Sequence, residues 1–307
     1  MKAQNDISVY KEAIRESFPQ LEINQIELDL RGWDNVVVLI NHEIVFRFPR
    51  RPDAARQLEI ETRLLPELRK YVTLPIPYPE FVAHDFAGYR LIPGEPLTKE
   101  LFQEVCSPEV IRHLARQIGQ FLSELHSFPL TRAIELGVPH ISDQKLWANF
   151  YEEIQQKVFP LLSPNEREWT EHLFGSFLSD KRNFLFRPVL LHGDLCSEHI
   201  LFDRNSKRIT GIIDFGDVRI GDPAYDFQPY EFSLQNEYSE KFWMELLTHY
   251  SLPIDESFFR RLEFYAQRWP FHEILYGLDC ELPERVASGL EALRRTIRAR
   301  RRCGHDV

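Results

Sequence analysis

His192-Gly193-Asp194-Leu195-Cys196-Ser197-Glu198-His199-Ile200-Leu201-Phe202 and, beyond the polar tract 203–208, Ile209-Thr210-Gly211-Ile212-Ile213-Asp214-Phe215-Gly216-Asp217 decide how this sequence folds. The apolar Val189–Leu191 reads as a strand, so Asp194 falls on the loop that follows it, between Gly193 and Leu195. His199 opens the next strand, His199–Phe202, and Ile209–Phe215 returns antiparallel to it. That hairpin carries Asp214 back beside the loop holding Asp194 and His199. Two carboxylates and an imidazole gathered at strand ends suit a Mg²⁺ ion and a general base. Two unrelated surface aspartates capping turns would explain either half of the string, but not the whole of it.

Outward from this hairpin the chain is uneven. Ile7–Phe18 has a helical apolar face (Ile7, Tyr10, Ile14, Phe18), and Val36–Ile40 and Ile44–Phe48 read as a hairpin around Asn41-His42-Glu43. Leu58–Tyr71 is helical in spacing. Phe81–Ala83 and Tyr89–Ile92 read as short strands flanking a turn at Asp85–Gly88, and Pro93-Gly94 is the candidate linker. Beyond it, helices are expected from Ser107-Pro108 to His126 and over Lys145–Phe159, Asn165–Leu178, Ser239–Tyr250 and Phe258–Tyr276. The expected architecture is α+β and bilobal. A β-rich lobe covers 1–92, and a mostly helical lobe covers 93–307 with the hairpin region 189–227 set into it.

The 307 residues carry 47 acids against 37 bases, a net charge of −10, which disfavours nucleic acid or an anionic membrane as partner and favours a cationic small molecule. No apolar run reaches secretory-signal or membrane-span length. The four cysteines are scattered with no C-x-x-C pair, which argues against a disulfide framework and for a reducing compartment. A cytoplasmic monomer is the expectation.

The motifs His192-Gly193-Asp194 and Asp214-Phe215-Gly216 resemble the catalytic loop and metal-binding motif of the antibiotic kinases in the protein-kinase-like superfamily. The chain is most similar to the 2″-aminoglycoside phosphotransferases, through 45–51 (VFRFPRR), 121–129 (FLSELHSFP), 137–139 (GVP) and 221–227 (GDPAYDF). The resemblance implies a protein-kinase-like fold and transfer of the γ-phosphate of GTP or ATP, with Mg²⁺, to a drug hydroxyl. It makes Asp194 the catalytic aspartate, Asp214 the metal aspartate, and His199 a metal residue where many kinases carry Asn. Arg47 stands where the family usually has a phosphate-binding lysine, and Glu61 where its helix partner lies. Gly32, Asp34 and Asn35 would cover the phosphates. Tyr89, Arg90 and Ile92 match the hinge that reads the base, and the bulk of Tyr89 resembles the GTP-preferring members.

Aminoglycosides are polycations, so acids are expected at their site. The resemblance places Glu231, Trp269, Glu273, Tyr276 and Asp279 there. Residues 269, 273 and 276 share one helix face by spacing. The acidic segment after 227 is thinner than in the relatives. That leaves open a kinase of the same fold for a macrolide or a small metabolite alcohol. The arginine at position 47 and the sparse glycine loop leave open a nucleotide-binding module without catalysis.

Overall fold

The computed structural model describes residues 6–105, 107–140, 143–227 and 237–302. In chain order its elements are α1 (Ile7–Ser17), β1 (Ile26–Asp29), β2 (Asn35–Ile40), β3 (Ile44–Pro49), α2 (Pro52–Leu68), β4 (Phe81–Val82), β5 (Ala87–Arg90) and β6 (Glu95–Pro96). Then come α3 (Lys99–Val105), α4 (Pro108–His126), α5 (Leu130–Glu135), α6 (Asp143–Glu153), α7 (Pro164–Ser179), β7 (Val189–Leu191), β8 (Ile200–Asp203), β9 (Arg208–Ile212), β10 (Arg219–Gly221), α8 (Glu237–His249), α9 (Phe258–Asp279) and α10 (Pro283–Arg302). A five-stranded antiparallel sheet has the order β1-β2-β3-β5-β4; β6, β8 and β9 form a second sheet, and β7 pairs with β10.

Two compact units result. The first draws on 6–139, 190–220 and 237–252, and the second on 140–189, 221–227 and 253–302. In the first, α1 packs on one face of the five-stranded sheet. Tyr10 and Ile14 meet Val36, Val38, Ile40, Ile44, Phe46, Phe81 and Phe86 in one apolar cluster. Strand alternation sends Phe46 into that cluster and Arg47 to the opposite face. The register Val45↔Tyr89 and Arg47↔Ala87 puts Tyr89 on the Arg47 face. On α2, Glu61 is buried in line with Leu58, Leu64, Leu65 and Leu68.

The Asn41 and His42 turn adopts left-handed backbone (φ 52° and 56°) and closes the β2–β3 hairpin at the expected residues. The expected turn at Asp85–Gly88 lies earlier, with Ala83 N–H donating to Phe86 O. Gly88 is inside β5 because it faces Phe46 across the ladder: a Cβ there would stand 2.5 Å from that ring. The strand ends at Arg90, so Ile92 lies beyond it. Pro52 starts α2 six residues before the expected Leu58, since proline suits the first helical turn. Ser107 caps α4 as expected, accepting from Val110 N–H at 3.3 Å.

The outer edge of β9 is covered by a side chain. The amide of Gln117 on α4 accepts from Ile209 N–H at 3.0 Å and donates to Ile209 O at 3.1 Å. In the second unit, α9 packs along α10, and the buried face of α9 includes Arg261, Phe264, Tyr265 and Arg268.

Candidate active site

β7 leads into the loop expected to carry the catalytic aspartate, and His192 fixes its path. Its ring is fully buried; Nε2–H donates to Ile213 O at 3.1 Å, and Nδ1 accepts from Asp194 N–H at 3.3 Å. One imidazole therefore ties the loop to the strand that ends before Asp214. Gly193 has φ +87°, and a Cβ on it would meet Asp217 O at 2.0 Å, so both backbone freedom and missing bulk are required.

Asp194 emerges with its side chain half-exposed. His199 closes a short 3₁₀ turn before β8. Its Nδ1–H donates to Asp194 O at 2.7 Å and lies 3.5 Å from Asp194 Oδ2, while Nε2 is 3.4 Å from Asp214 Oδ2. Cys196 Sγ is 3.4 Å from the same Nδ1. Burial works against charging this ring, but Cys196, Asp214 and Asp194 more than offset it, and His199 is pushed up to about 10. Asp214 sits just past β9 with φ +63°, a left-handed conformation that Asp tolerates better than most residues.

From the sheet, Arg47 reaches the same place. Nη1 donates to Glu61 Oε2 at 2.5 Å and Nη2 to Asp214 Oδ1 at 3.2 Å. Burial opposes the charge of Arg47, yet Glu61 and Asp214 keep it firmly protonated. Burial also raises Asp214, but Arg47 and His199 outweigh it and hold its carboxyl below the usual range. Gly216 lies beside the junction, where a Cβ would make ordinary contact at 3.4 Å with both Arg47 Nη2 and Asp214 Oδ1. Asp217, absent from the expected set, joins the cluster. Desolvation and the charges of Asp194, Asp214 and Asp34 raise it to about 6 although its side chain keeps solvent contact.

The acids Asp34, Asp194, Asp214 and Asp217 thus lie within electrostatic reach of one another, with Arg47, Arg51 and Arg219 as the nearby cations. The carboxylate oxygens gathered here fit Mg²⁺, a hard cation that prefers carboxylates and water. The His199 ring, whose Nδ1–H is committed to Asp194 O, fits that ion less well than its neighbours do.

Of the other expected nucleotide residues, Gly32 precedes β2 in a tight bend, where a Cβ would meet Asn35 O at 2.8 Å. Asp34 pairs with Arg51 at 2.5 Å, and its backbone carbonyl accepts from Arg50 N–H. Asn35 is buried, and its Oδ1 has no hydrogen-bond partner among the described residues. Tyr89 lines a small cavity with Arg47, Glu61 and Leu65. The Arg90 side chain turns outward to Glu80 at 3.0 Å, and Ile92 packs over Gly211.

The expected drug-facing residues belong to the second unit, except Glu231, which lies outside the described residues. Trp269 is exposed and stacks near His272. Glu273 pairs with Arg285 at 3.0 Å, Arg285 also lies over the Tyr276 ring, and Asp279 pairs with Lys157 at 2.7 Å. These acids already hold cations. The same unit contains a network the sequence did not announce: buried Asp222 accepts from Arg261 Nε at 2.6 Å and from Tyr265 OH at 2.7 Å, and Arg261 reaches Asp255 at 2.7 Å. The GDPAYD stretch is anchored through its first aspartate.

Comparison with known proteins gives the family and the fold. Residues 25–252 match the model of the phosphotransferase enzyme family. Viomycin phosphotransferase of Streptomyces vinaceus is 32% identical over 137 residues, 44% of this chain and 45% of that protein, so the match spans under half of that relative. Among solved structures, the GDP and kanamycin complex of APH(2″)-IIIa superposes with a TM-score of 0.85 at 28% identity, covering 95% of this chain and 99% of that one. The GDP complex of wild-type aminoglycoside 2′-phosphotransferase-IIIa gives 0.85 at 29% identity, covering 95% and 98%. The chain belongs to the phosphotransferase enzyme family and has its protein-kinase-like α+β fold.

Proposed function

We propose that this phosphotransferase moves the γ-phosphate of GTP or ATP to the 2″-hydroxyl of an aminoglycoside. The observation that carries the reading is the convergence of Asp194, His199 and Asp214 with the Arg47–Glu61 pair at one point of the first unit. Asp194, half-exposed on a loop braced by His192, orients the acceptor hydroxyl and takes its proton. Arg47, held between Glu61 and Asp214, presents a guanidinium to phosphate oxygens. Residues up to Ile92 form the nucleotide-binding lobe, with Gly32–Asn35 above the phosphates and Tyr89, Arg90 and Ile92 at the base. Bound at Asp214, Mg²⁺ would neutralise charge on the phosphates. His199 serves that site chiefly by holding the Asp214 carboxylate and the Asp194 carbonyl in place. Trp269, Glu273, Tyr276, Asp279 and Glu231 are the proposed drug contacts. Kanamycin beside GDP in the similar structure supports the substrate class.

A second reading is favoured by one observation: Glu273 and Asp279 already pair with Arg285 and Lys157, which reduces the negative charge free to meet a polycation. It assigns a macrolide or small metabolite alcohol as acceptor. GDP and ADP release by the purified protein with Mg²⁺, measured with and without kanamycin and gentamicin, separates the two. Drug-stimulated release, lost in Asp194→Asn, is the expected result. Release stimulated only by neutral or monocationic alcohols would replace the first reading with the second.

A further inference from the structure

Cys196 takes no part in the phosphoryl transfer outlined above, yet its sulfur stands inside the catalytic loop. One ligand atom each from Asp194, Cys196 and His199 lie within 4.8 Å of one another. The individual edges are more telling: Sγ to Nδ1 is 3.4 Å, and Nδ1 to Asp194 Oδ2 is 3.5 Å. A tetrahedral zinc ion with bonds of about 2.3 Å to sulfur and about 2.0–2.1 Å to nitrogen and oxygen separates its ligands by about 3.4–3.6 Å. The far ring nitrogen, Nε2, lies at ion-pair distance, 3.4 Å, from Asp214 Oδ2. A carboxylate behind a histidine is the usual outer support of a zinc-bound imidazole. Cys196 and His199 are partly accessible and the Asp194 side chain is half-exposed, so an ion has a way in.

We propose that Asp194, Cys196 and His199 form a binding site for a borderline-soft divalent transition-metal ion, Zn²⁺ being the type, and that its occupation shuts the enzyme off. The inhibitory half rests on the reading of Asp194 as the residue that orients the acceptor; the binding half does not. Thiolate and imidazole select such an ion over Mg²⁺, which takes oxygen. Binding displaces the Cys196 thiol proton and the Nδ1 proton of His199 to solvent, and the bond from Nδ1–H to Asp194 O is given up. The Asp194 carboxylate then holds the metal and no longer meets a hydroxyl. Excess Mg²⁺ does not reverse this, whereas a chelator does.

The test uses the whole protein without nucleotide or drug. Co²⁺ is added and the thiolate-to-cobalt charge-transfer absorption is followed, then Zn²⁺ is added as competitor. The expected result is one Co²⁺ per chain with a thiolate band, bleached by Zn²⁺, insensitive to Mg²⁺, and absent in Cys196→Ser. In the unmodified protein, Zn²⁺ should slow alkylation of Cys196, whose thiolate it would hold, while leaving Cys280 unaffected, read by peptide mass spectrometry. That arm needs no variant, so a folding defect in Cys196→Ser does not blunt it. Absence of a thiolate band, persistence of the band in Cys196→Ser, or equal alkylation of Cys196 with and without Zn²⁺ overturns the site. A site confirmed by cobalt and alkylation, combined with full turnover in Zn²⁺, overturns the role given to Asp194 and leaves the site standing.

Discussion

Nη2 of Arg47 lies 3.2 Å from Oδ1 of Asp214, and the same guanidinium binds Glu61 from its other arm at 2.5 Å. Arg47 and Glu61 are both buried. Removing one partner of such a pair leaves an uncompensated charge and costs about 3–5 kcal/mol. Arg47→Ala should therefore lower the urea midpoint sharply. The double change Arg47→Met with Glu61→Leu should recover most of the stability while remaining inactive. Equal stability of wild type and Arg47→Ala would mean that the pair contributes nothing to the fold.

Asp194 is a different case, because its side chain is half-exposed and stabilises little. Asp194→Asn should lower turnover by about 10²–10⁴-fold, the range for a positioned proton acceptor. GDP affinity by calorimetry should stay within a few-fold of wild type. A large loss of GDP binding would make Asp194 a nucleotide ligand instead.

Gly193 combines φ +87° with an approach to Asp217 O that no Cβ survives. Gly193→Ala should destabilise by about 1–3 kcal/mol, the range for a residue forced into a sparsely populated conformation. It should also lower turnover more than it lowers nucleotide affinity. Thermal melting and steady-state kinetics on the same preparation would reveal either effect.

In the second unit, Asp255 is raised by burial but lowered further by Arg261 and Ser257, to about 2. A carboxyl depressed in the folded state adds stability above its unfolded value near 3.8, and that stability disappears as pH falls through about 2. Allowing for its partial exposure, the contribution is about 1–2 kcal/mol. Asp255→Asn should be less stable at pH 7, with the gap closing between about pH 4 and 2. A gap that stays constant over that range would rule out Asp255 as the titrating group.

Arg285 holds Glu273 and covers Tyr276. If Glu273 meets an ammonium of the drug, Arg285→Ala should lower KM for kanamycin by about 2–5-fold, the scale of one partly exposed ion pair. A raised KM would make the pair a support of the α9 surface.

The catalytic string was legible because its geometry is local: strand, loop, strand and return place Asp194, His199 and Asp214 together wherever the hairpin goes. The pairing of Arg47 with Glu61 was legible only through the family resemblance, which sets a strand cation against a helix glutamate. Asp217 was missed because its nearness to Gly193 depends on a left-handed backbone that residue identity alone does not announce. Gly88 was misread as a turn residue because its reason, the Phe46 ring across the ladder, lies on another strand. The Lys157–Asp279 pair joins residues 122 positions apart, and only helix packing brings them together. Glycine punctuation and helix spacing carry no information about such partners.

The amide of Gln117 does for β9 what another strand would do, filling both the donor and the acceptor position of Ile209. An open sheet margin invites strands from other chains. Here the margin belongs to the hairpin that leads to Asp214 of the candidate site. A helix side chain thus seals the ladder at Ile209, and Pro75 O takes the Ile212 N–H at 2.9 Å, so the chain itself occupies these two positions of the margin.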